Sequence, residues 1–253
     1  MKTIKLSILA LMAAVLTVST SCNKHKHDDE NETGTAQVHF EHVWGMSESA
    51  FALNTNLVHP MSGDTMNFTK FKYYVSNLKL KKADGTWWVH PESYFLVDAA
   101  DAASTTLSLG TLPVGEYTEM EYTLGVDSTR NVSGAQSGAL ATTNNMFWSW
   151  NTGYIMLKAE GTSPQSSTGN FAFHLGGFTG ANNVVTTKNV VFGAENLVIS
   201  KGNTSEVHLK CNPAKLFHAD PLSAGTSVMM PGAKAKQMAT NFYGSYVFEH
   251  VHN

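Results

Sequence analysis

The side chains best suited to redox or metal chemistry lie in residues 146–177, where two tryptophans and a histidine occur close together. Trp148 and Trp150 are separated by one residue, and His174 follows in the segment FHLGG. If the residues up to Lys158 form a strand, its period of two places both indoles on one face. Such a row near a histidine is either a bulky layer of the core or a tuned environment for redox and metal chemistry, and the sequence leaves both alternatives open.

A second candidate site is formed by two histidines near residue 253. His250 and His252 are separated by one residue, so on a strand they point to the same side. Neutral imidazoles suit copper and zinc, and this pair, together with His42 or His174, predicts a shell for one such ion. The alternative is a polar edge strand whose histidines face water.

Other potential ligands are predicted to have structural roles. His208 and Cys211 are three residues apart, and on a strand they point to opposite faces, so we expect Cys211 to be a buried structural thiol. Met229, Met230 and Met238 are expected to fill gaps in packing, with ligation of Cu(I) by their thioethers as the alternative.

The N-terminus resembles a bacterial lipoprotein signal. Lys2 and Lys5 form a basic region, residues 6–18 are apolar but too few to span a bilayer comfortably, and small residues precede Cys22. The sequence therefore predicts a signal peptide over residues 1–21 and a lipid on Cys22, with an ordinary secretory signal as the alternative. We expect an outer membrane-anchored lipoprotein that faces the periplasm or the cell surface, with the lipid as its attachment to the membrane.

The remaining chain divides into a tether and one domain. Residues 22–36 are predicted to form the lipidated cysteine and a flexible tether, because residues 23–30 include no apolar side chain. Residues 37–253 are then expected to form a single domain, since no internal repeat or Pro-rich linker divides them. With Cys22 used for the lipid, Cys211 has no partner for an intramolecular disulfide, so the domain depends on its own core.

The distribution of β-branched and aromatic residues predicts an all-β fold, an antiparallel β-sandwich with long loops and one or two short helices. Short helices are expected near residues 46–52 and 234–243. The expected strands are 36–42, 71–80, 93–97, 117–126, 153–160, 170–175, 189–199, 205–209 and 246–252.

Charge and motifs exclude several function classes. Seventeen Lys and Arg against twenty Asp and Glu give a net charge of −3, and Arg130 is the sole arginine, so no nucleic-acid-binding surface is indicated. The sequence has no G-x-S-x-G elbow, H-E-x-x-H helix, Walker loop or dinucleotide fingerprint. We therefore expect a binding protein and not an enzyme.

A series of segments along the chain resembles the MbnP-like family, in its lipoprotein branch. These segments are FKYYVSNLKL (71–80), YFLVD (94–98), LPVGEY (112–117), TLGVDS (123–128), MFWSWNTGY (146–154), KAEG (158–161) and FHLGG (173–177). The resemblance implies a β-rich scaffold that binds copper for acquisition or sequestration at the cell envelope. It also implies a di-haem cytochrome c peroxidase-like partner that oxidises a tryptophan to kynurenine. A TonB-dependent receptor is a further predicted partner.

The family's metal site maps onto this sequence at several positions. His174 matches a position at which the family has a metal-binding histidine; the alternative is a core histidine bonded to a backbone carbonyl. Trp148 and Trp150 match the family's aromatic segment, so either is a candidate for oxidation to kynurenine, which offers an aryl amine where indole has a ring N–H.

The sequence also departs from the founding members. They have a histidine shortly after the strand that corresponds to TLGVDS, whereas residues 129–133 include none. Lipoprotein branches instead have a histidine in the first strand and a terminal histidine pair, which His42, His250 and His252 match. The predicted ligands are therefore His174, His42, His250 and His252, with copper as the metal and zinc as the alternative.

A different class of function remains open. Trp87 and Trp88, beside His90, are also typical of an exposed hairpin platform. The alternative is therefore a non-catalytic surface lipoprotein that binds glycan or protein partners and has lost the metal site.

Overall fold

Strands dominate the parts of the chain that the computed structural model describes, residues 32–134, 136–148 and 153–253, which confirms the predicted all-β class. The strands are β1 (Thr33–Trp44), β2 (Ser49–Ala50), β3 (Asn56–Val58), β4 (Thr65–Lys82), β5 (Trp87–Val89), β6 (Tyr94–Asp98), β7 (Thr106–Pro113), β8 (Gly115–Leu124), β9 (Ile155–Thr162), β10 (Asn170–Gly176), β11 (Thr186–Val191), β12 (Leu197–Ile199), β13 (Thr204–Cys211), β14 (Ser227–Val228) and β15 (Val247–His252). The α-helices of these residues are α1 (Ser128–Asn131) and α2 (Ala233–Tyr243).

The strands form two sheets. In the smaller sheet, β13 lies between β15 and β1, while β7 and the short β2 pair with β1. In the larger sheet the order is β11-β8-β4-β9-β10-β14, with β3, β5 and β6 paired to β4 and β12 paired to β8. The pairs β1/β13 and β10/β14 are parallel, so the sheets are mixed and not purely antiparallel as expected. Both pairs join strands that are far apart in sequence, and such strands need no hairpin turn.

Local backbone conformation explains two further differences from the sequence prediction. The helix expected near residues 46–52 is instead a turn followed by β2, because Gly45 and Glu48 have φ values of 71° and 49°, outside the right-handed helical region. The strand expected over 189–199 divides into β11 and β12, with Gly193 at φ 73° in the turn between them. The helix expected over 234–243 is confirmed as α2.

Strand β1 begins at Thr33, within the stretch assigned from the sequence to the tether. The predicted signal peptide and Cys22 lie outside the described residues. None of the helices in the described ranges has the length and apolar character needed to cross a bilayer.

Aromatic side chains fill the space between the sheets and attach α2 to them. Phe242 of α2 lies edge-on to Phe71 and Tyr73 of β4, with ring centroids 5.4 and 5.7 Å apart. Each such pair stabilises the fold by about 0.5–1.5 kcal/mol beyond the contribution from burial of its surface. Cys211 is fully buried in this layer, and burial raises the pKa of its thiol to about 12, as expected of a structural cysteine.

His42 belongs to the same interior layer. Alternate residues of β1, including Val38 and Phe40, are buried, and His42 follows in this series. Its Nε2 lies 3.0 Å from Tyr73 Oη, and its ring packs edge-on against Phe71. Burial, with a smaller effect of the neighbouring His39, lowers the pKa of His42 to about 4, so the ring is neutral at physiological pH.

The close packing of β9 on β4 predicts a cost for any side chain at Gly161. A Cβ there would lie 2.1 Å from Asn67 O and 2.5 Å from Phe171 Cζ, so Gly161→Ala should lower the free energy of unfolding by about 1–3 kcal/mol, measured by urea denaturation. Gly225→Ala is the matched control, because no atom lies within 4 Å of its added Cβ. Equal stability of the two variants would contradict this packing.

The neutral, buried state of His42 predicts a dependence of stability on pH. Between a pKa of about 4 when folded and about 6.5 when unfolded, the unfolded chain binds a proton that the folded protein does not. Stability should therefore fall as pH falls below 6.5, by about 2 kcal/mol near pH 5. Urea unfolding near pH 7.5 and pH 5 measures this difference. His42→Gln should reduce the difference by a similar amount, and an unchanged pH dependence would show that His42 is not the group responsible.

Candidate metal centre

The pairing of three strands places histidines side by side on the outer face of the smaller sheet. His39 of β1 is in register with His208 of β13, and His208 is in register with His250 of β15. His252 lies two residues beyond His250 and so points to the same side. The expectation that the terminal pair shares one face is confirmed by this geometry.

His208, His250 and His252 form a compact group, which we call the trihistidine cluster. One ring nitrogen from each residue lies within 4.8 Å of the other two. The rings of His208 and His250 are stacked with centroids 4.4 Å apart, and the Nε2 atoms of His250 and His252 are 3.1 Å apart. Two nitrogens bound to one tetrahedral ion at about 2.0–2.1 Å would be about 3.3 Å apart, so the pair is already spaced as two ligands would be.

Glu206 supplies negative charge beside the trihistidine cluster. Its carboxylate contacts Nε2 of His208 and accepts a hydrogen bond from Nε2 of Gln37. Burial lowers the pKa of His208, while the carboxylate acts in the opposite direction. The neutral form, which has a free lone pair for a metal, is therefore favoured at His208, and the adjacent carboxylate can offset the charge of a bound cation.

His39 extends the row of imidazoles by one strand. Its Nδ1 lies 2.9 Å from Thr106 Oγ1 on β7, and its ring centroid is 5.4 Å from that of His208. The contact with Thr106 orients the ring, in the way that outer hydrogen bonds orient metal-binding histidines. His39 lies beside the cluster and does not belong to it.

The end of β15 is held in place by its neighbour in the chain. The side chain of Asn253 accepts a hydrogen bond from Val198 N at 2.7 Å and donates one to Asn196 O at 3.1 Å. These bonds attach the terminal residue to β12 and the turn before it. Because Asn253 is the residue next to His252, these bonds help to keep His252 in register.

The structure separates the other two predicted ligands from the terminal pair. His42 lies on the opposite face of β1 from His39, where its ring contacts Tyr73 and Phe71. His174 lies on β10 in the larger sheet, where its Nε2 is 2.7 Å from Glu160 Oε1. The third imidazole beside His250 and His252 is therefore His208, and not His42 or His174 as expected. Metal binding by His174 at a separate site stays a prediction of the family resemblance.

The surroundings of His174 are those of an ion-pair network. Glu160 also pairs with Lys70 at 2.7 Å, and the amine of the buried Lys158 lies 4.0 Å from it. Burial lowers the pKa of His174, and its hydrogen bond to Glu160 opposes that shift. The partner of the ring is thus a carboxylate, where the sequence alternative was a backbone carbonyl.

Trp148 is a buried side chain in a tight contact with β10. Met146 and Trp148 are both buried, but they precede β9, which begins at Ile155, and so do not lie in the strand on which the predicted alternation depended. A Cβ at Gly176 would lie 2.4 Å from Trp148 Cη2, so the indole occupies space that the glycine leaves free. Trp148 also lines a cavity of about 360 Å³ with Phe178 and Pro231. Trp150 lies outside the described residues, and oxidation of either tryptophan stays a prediction.

The aromatic residues of β5 are partly covered by neighbouring side chains. Trp87 is 37% exposed, and Lys79 Nζ lies over its ring at 4.6 Å from the centroid. Trp88 packs edge-on against His90, with centroids 5.8 Å apart. One face of the exposed indole is thus covered by a lysine of the same protein, which leaves less of it for stacking on a glycan.

From the sequence alone, His208 is not identified as a ligand of the candidate site. Its position on the outer face follows from the alternation of burial in TSEVHLKC, and the opposite orientation of Cys211 was predicted correctly. The local pattern does not indicate that β13 pairs with β15, and this pairing is what brings His208 next to His250.

Comparisons with known proteins identify the fold and the family. The sequence model described as MbnP matches residues 33–231. Among solved structures, MbnP from Methylosinus trichosporium is similar, with a TM-score of 0.54 and 17% sequence identity over 80% of this chain and 83% of that one. A search of curated proteins gives no match. The structural likeness supports the fold, and the match over most of the sequence shows that the chain belongs to the MbnP family.

Proposed function

We propose that this protein binds copper at the cell envelope through the trihistidine cluster. Membership of the MbnP family points to a copper-related role associated with methanobactin. The observation that carries the proposal is the convergence of His208, His250 and His252, whose ring nitrogens lie within 4.8 Å of one another. The terminal pair was predicted from its spacing, and the third ring is supplied by strand pairing.

The donor atoms favour copper in its divalent state at this cluster. The three imidazoles and the adjacent carboxylate of Glu206 are nitrogen and oxygen donors, while Cys211, the cysteine of the described residues, lies on the other face of the sheet. For such donor sets the affinity of divalent metals rises to a maximum at copper and falls again at zinc. Zn(II) is therefore expected to bind to the same site more weakly than Cu(II).

The position of the cluster suits capture and transfer of the ion. His252 is exposed and His208 is half-buried, so a bound ion would remain open to solvent on one side. A structural metal site is normally closed by four protein ligands. The arrangement supports sequestration or delivery of copper.

Location and partners belong to the same proposal and rest on the sequence. A lipid on Cys22 would hold the protein at the outer membrane, facing the periplasm or the surface. The family resemblance supplies a di-haem cytochrome c peroxidase-like protein and a TonB-dependent receptor as partners. Trp148 is the described candidate for oxidation, and its burial beside Gly176 means that an oxidant would act across intervening protein.

The cluster predicts one Cu(II) ion per chain in protein that carries no affinity tag. The test uses the chain without residues 1–21, with Cys22→Ser, His25→Ser and His27→Ser to remove the potential ligands near its N-terminus. Competition titration against a chromogenic chelator should give one tight site, and His208→Ala or His250→Ala should weaken it at least tenfold, because each removes one of three nitrogen ligands.

His90→Ala is the control for this titration, since His90 follows β5 of the larger sheet and does not belong to the trihistidine cluster. His174→Gln is the informative comparison. Unchanged affinity in His174→Gln supports the cluster, whereas loss of copper in His174→Gln with retention in His250→Ala would move the site to β10.

The donor set also predicts an order of metal affinity. Cu(II) should displace Zn(II) from the cluster, with an apparent affinity at least tenfold higher, because the affinities of nitrogen sites follow the Irving–Williams order. Isothermal titration of the zinc-loaded protein with Cu(II) measures this exchange. A site that binds Zn(II) as tightly as Cu(II) would argue against copper as the physiological cargo.

A further inference from the structure

A second group of potential ligands lies around a cavity at the end of the smaller sheet. The cavity has a volume of about 180 Å³, and its lining includes Met46, Met61 and His218. These residues come from three separate segments of the chain, and none of them belongs to the trihistidine cluster.

The exposure of the two methionines is unusual. Met46 is 82% exposed and Met61 is 56% exposed, whereas most methionines in proteins are buried. Neither side chain therefore fills a gap in the core. Two thioethers at the rim of one cavity are suited to bind a soft ligand, because the thioether sulfur is polarisable and uncharged.

The backbone that carries Met46 is fixed by one buried side chain. Asn212 Oδ1 accepts hydrogen bonds from Gly45 N at 3.2 Å and Ala214 N at 3.1 Å, and Asn212 Nδ2 donates to Gly45 O at 2.8 Å. The turn before Met46 is thereby joined to the end of β13. Asn212 therefore positions Met46. Its Oδ1 already accepts two hydrogen bonds, so this oxygen is not available as a metal ligand.

The loop that carries Met61 is fixed to the same segment by His59. His59 Nδ1 accepts a hydrogen bond from Ser62 N at 3.1 Å, so Nε2 carries the hydrogen and donates to Ala214 O at 3.0 Å. Both ring nitrogens are used, and burial lowers the pKa of His59, so the ring stays neutral. His59 therefore holds the loop and does not bind a metal.

His218 closes the third side of the cavity. It follows the 3-10 helix Pro213–Leu216, and its backbone N–H donates to Lys215 O at 3.2 Å. Its φ of 52° lies in the left-handed region, which residues other than glycine adopt uncommonly. His218 thus joins the two methionines in the lining of the cavity.

We propose that Met46, Met61 and His218 form a site for a soft monovalent cation, of the class of Cu(I) and Ag(I). Two thioethers and one imidazole match the preference of these ions for sulfur and nitrogen donors. The lining has no Asp, Glu or Cys, and Lys215 adds a positive charge. The electrostatic repulsion from Lys215 would be twice as large for a divalent cation as for a monovalent one at the same distance. The site is separate from the trihistidine cluster and does not depend on it.

The test uses Ag(I), which has the same ligand preferences without redox chemistry, and protein labelled with ¹³C at the methionine methyl groups. The protein is again the chain without residues 1–21, with Cys22→Ser, His25→Ser and His27→Ser. We expect the Met46 and Met61 methyl signals to shift and saturate at one equivalent of Ag(I). Met229 and Met230 are internal controls, because they are 40% and 61% exposed and do not line this cavity.

Substitutions separate this site from its alternatives. Met46→Leu and Met61→Leu should each weaken Ag(I) binding at least tenfold, while Met230→Leu should leave it unchanged. His208→Ala with His250→Ala should retain the site even if the trihistidine cluster is lost. Equal, unsaturated shifts of all exposed methionines, or unchanged affinity in the double variant of Met46 and Met61, would overturn the proposal and show adventitious binding to surface thioethers.

Discussion

The parallel pairing of β1 with β13 is the constraint on which the rest of this structure depends. Its register sets His39 beside His208 on the outer face, and it sets His42 beside Cys211 on the inner face. Because side chains alternate along a strand, a slip of one residue would exchange the two faces. The hydrophobic residues of both strands oppose such a slip, so the same packing that builds the core also fixes the row of imidazoles.

The sequence predicted the class of fold, the C-terminal helix and the common orientation of His250 and His252, because each follows from local periodicity. The third imidazole required a pairing between strands that are separated by α2, and no local pattern contains that information. His42 shows the opposite case. Its position after Val38 and Phe40, in a series of alternate residues that point inward, could be read from the sequence. The family resemblance instead predicted that His42 binds a metal.

The part of the chain beyond residue 231 contributes to both the core and the candidate site. The family match ends at that residue, before α2 and β15. Phe242 of α2 completes the aromatic layer between the sheets, and β15 carries two of the three clustered histidines. The candidate site thus combines His208, within the matched stretch, with His250 and His252 beyond it.

The buried thiol of Cys211 has a consequence for the chemistry of the domain. Its proton is retained at every physiological pH, since burial raises its pKa to about 12, and thiolate is the form that attacks disulfides and reduces metals. The domain is therefore expected neither to form a disulfide through Cys211 nor to reduce, through that thiol, an ion held on the far side of the sheet.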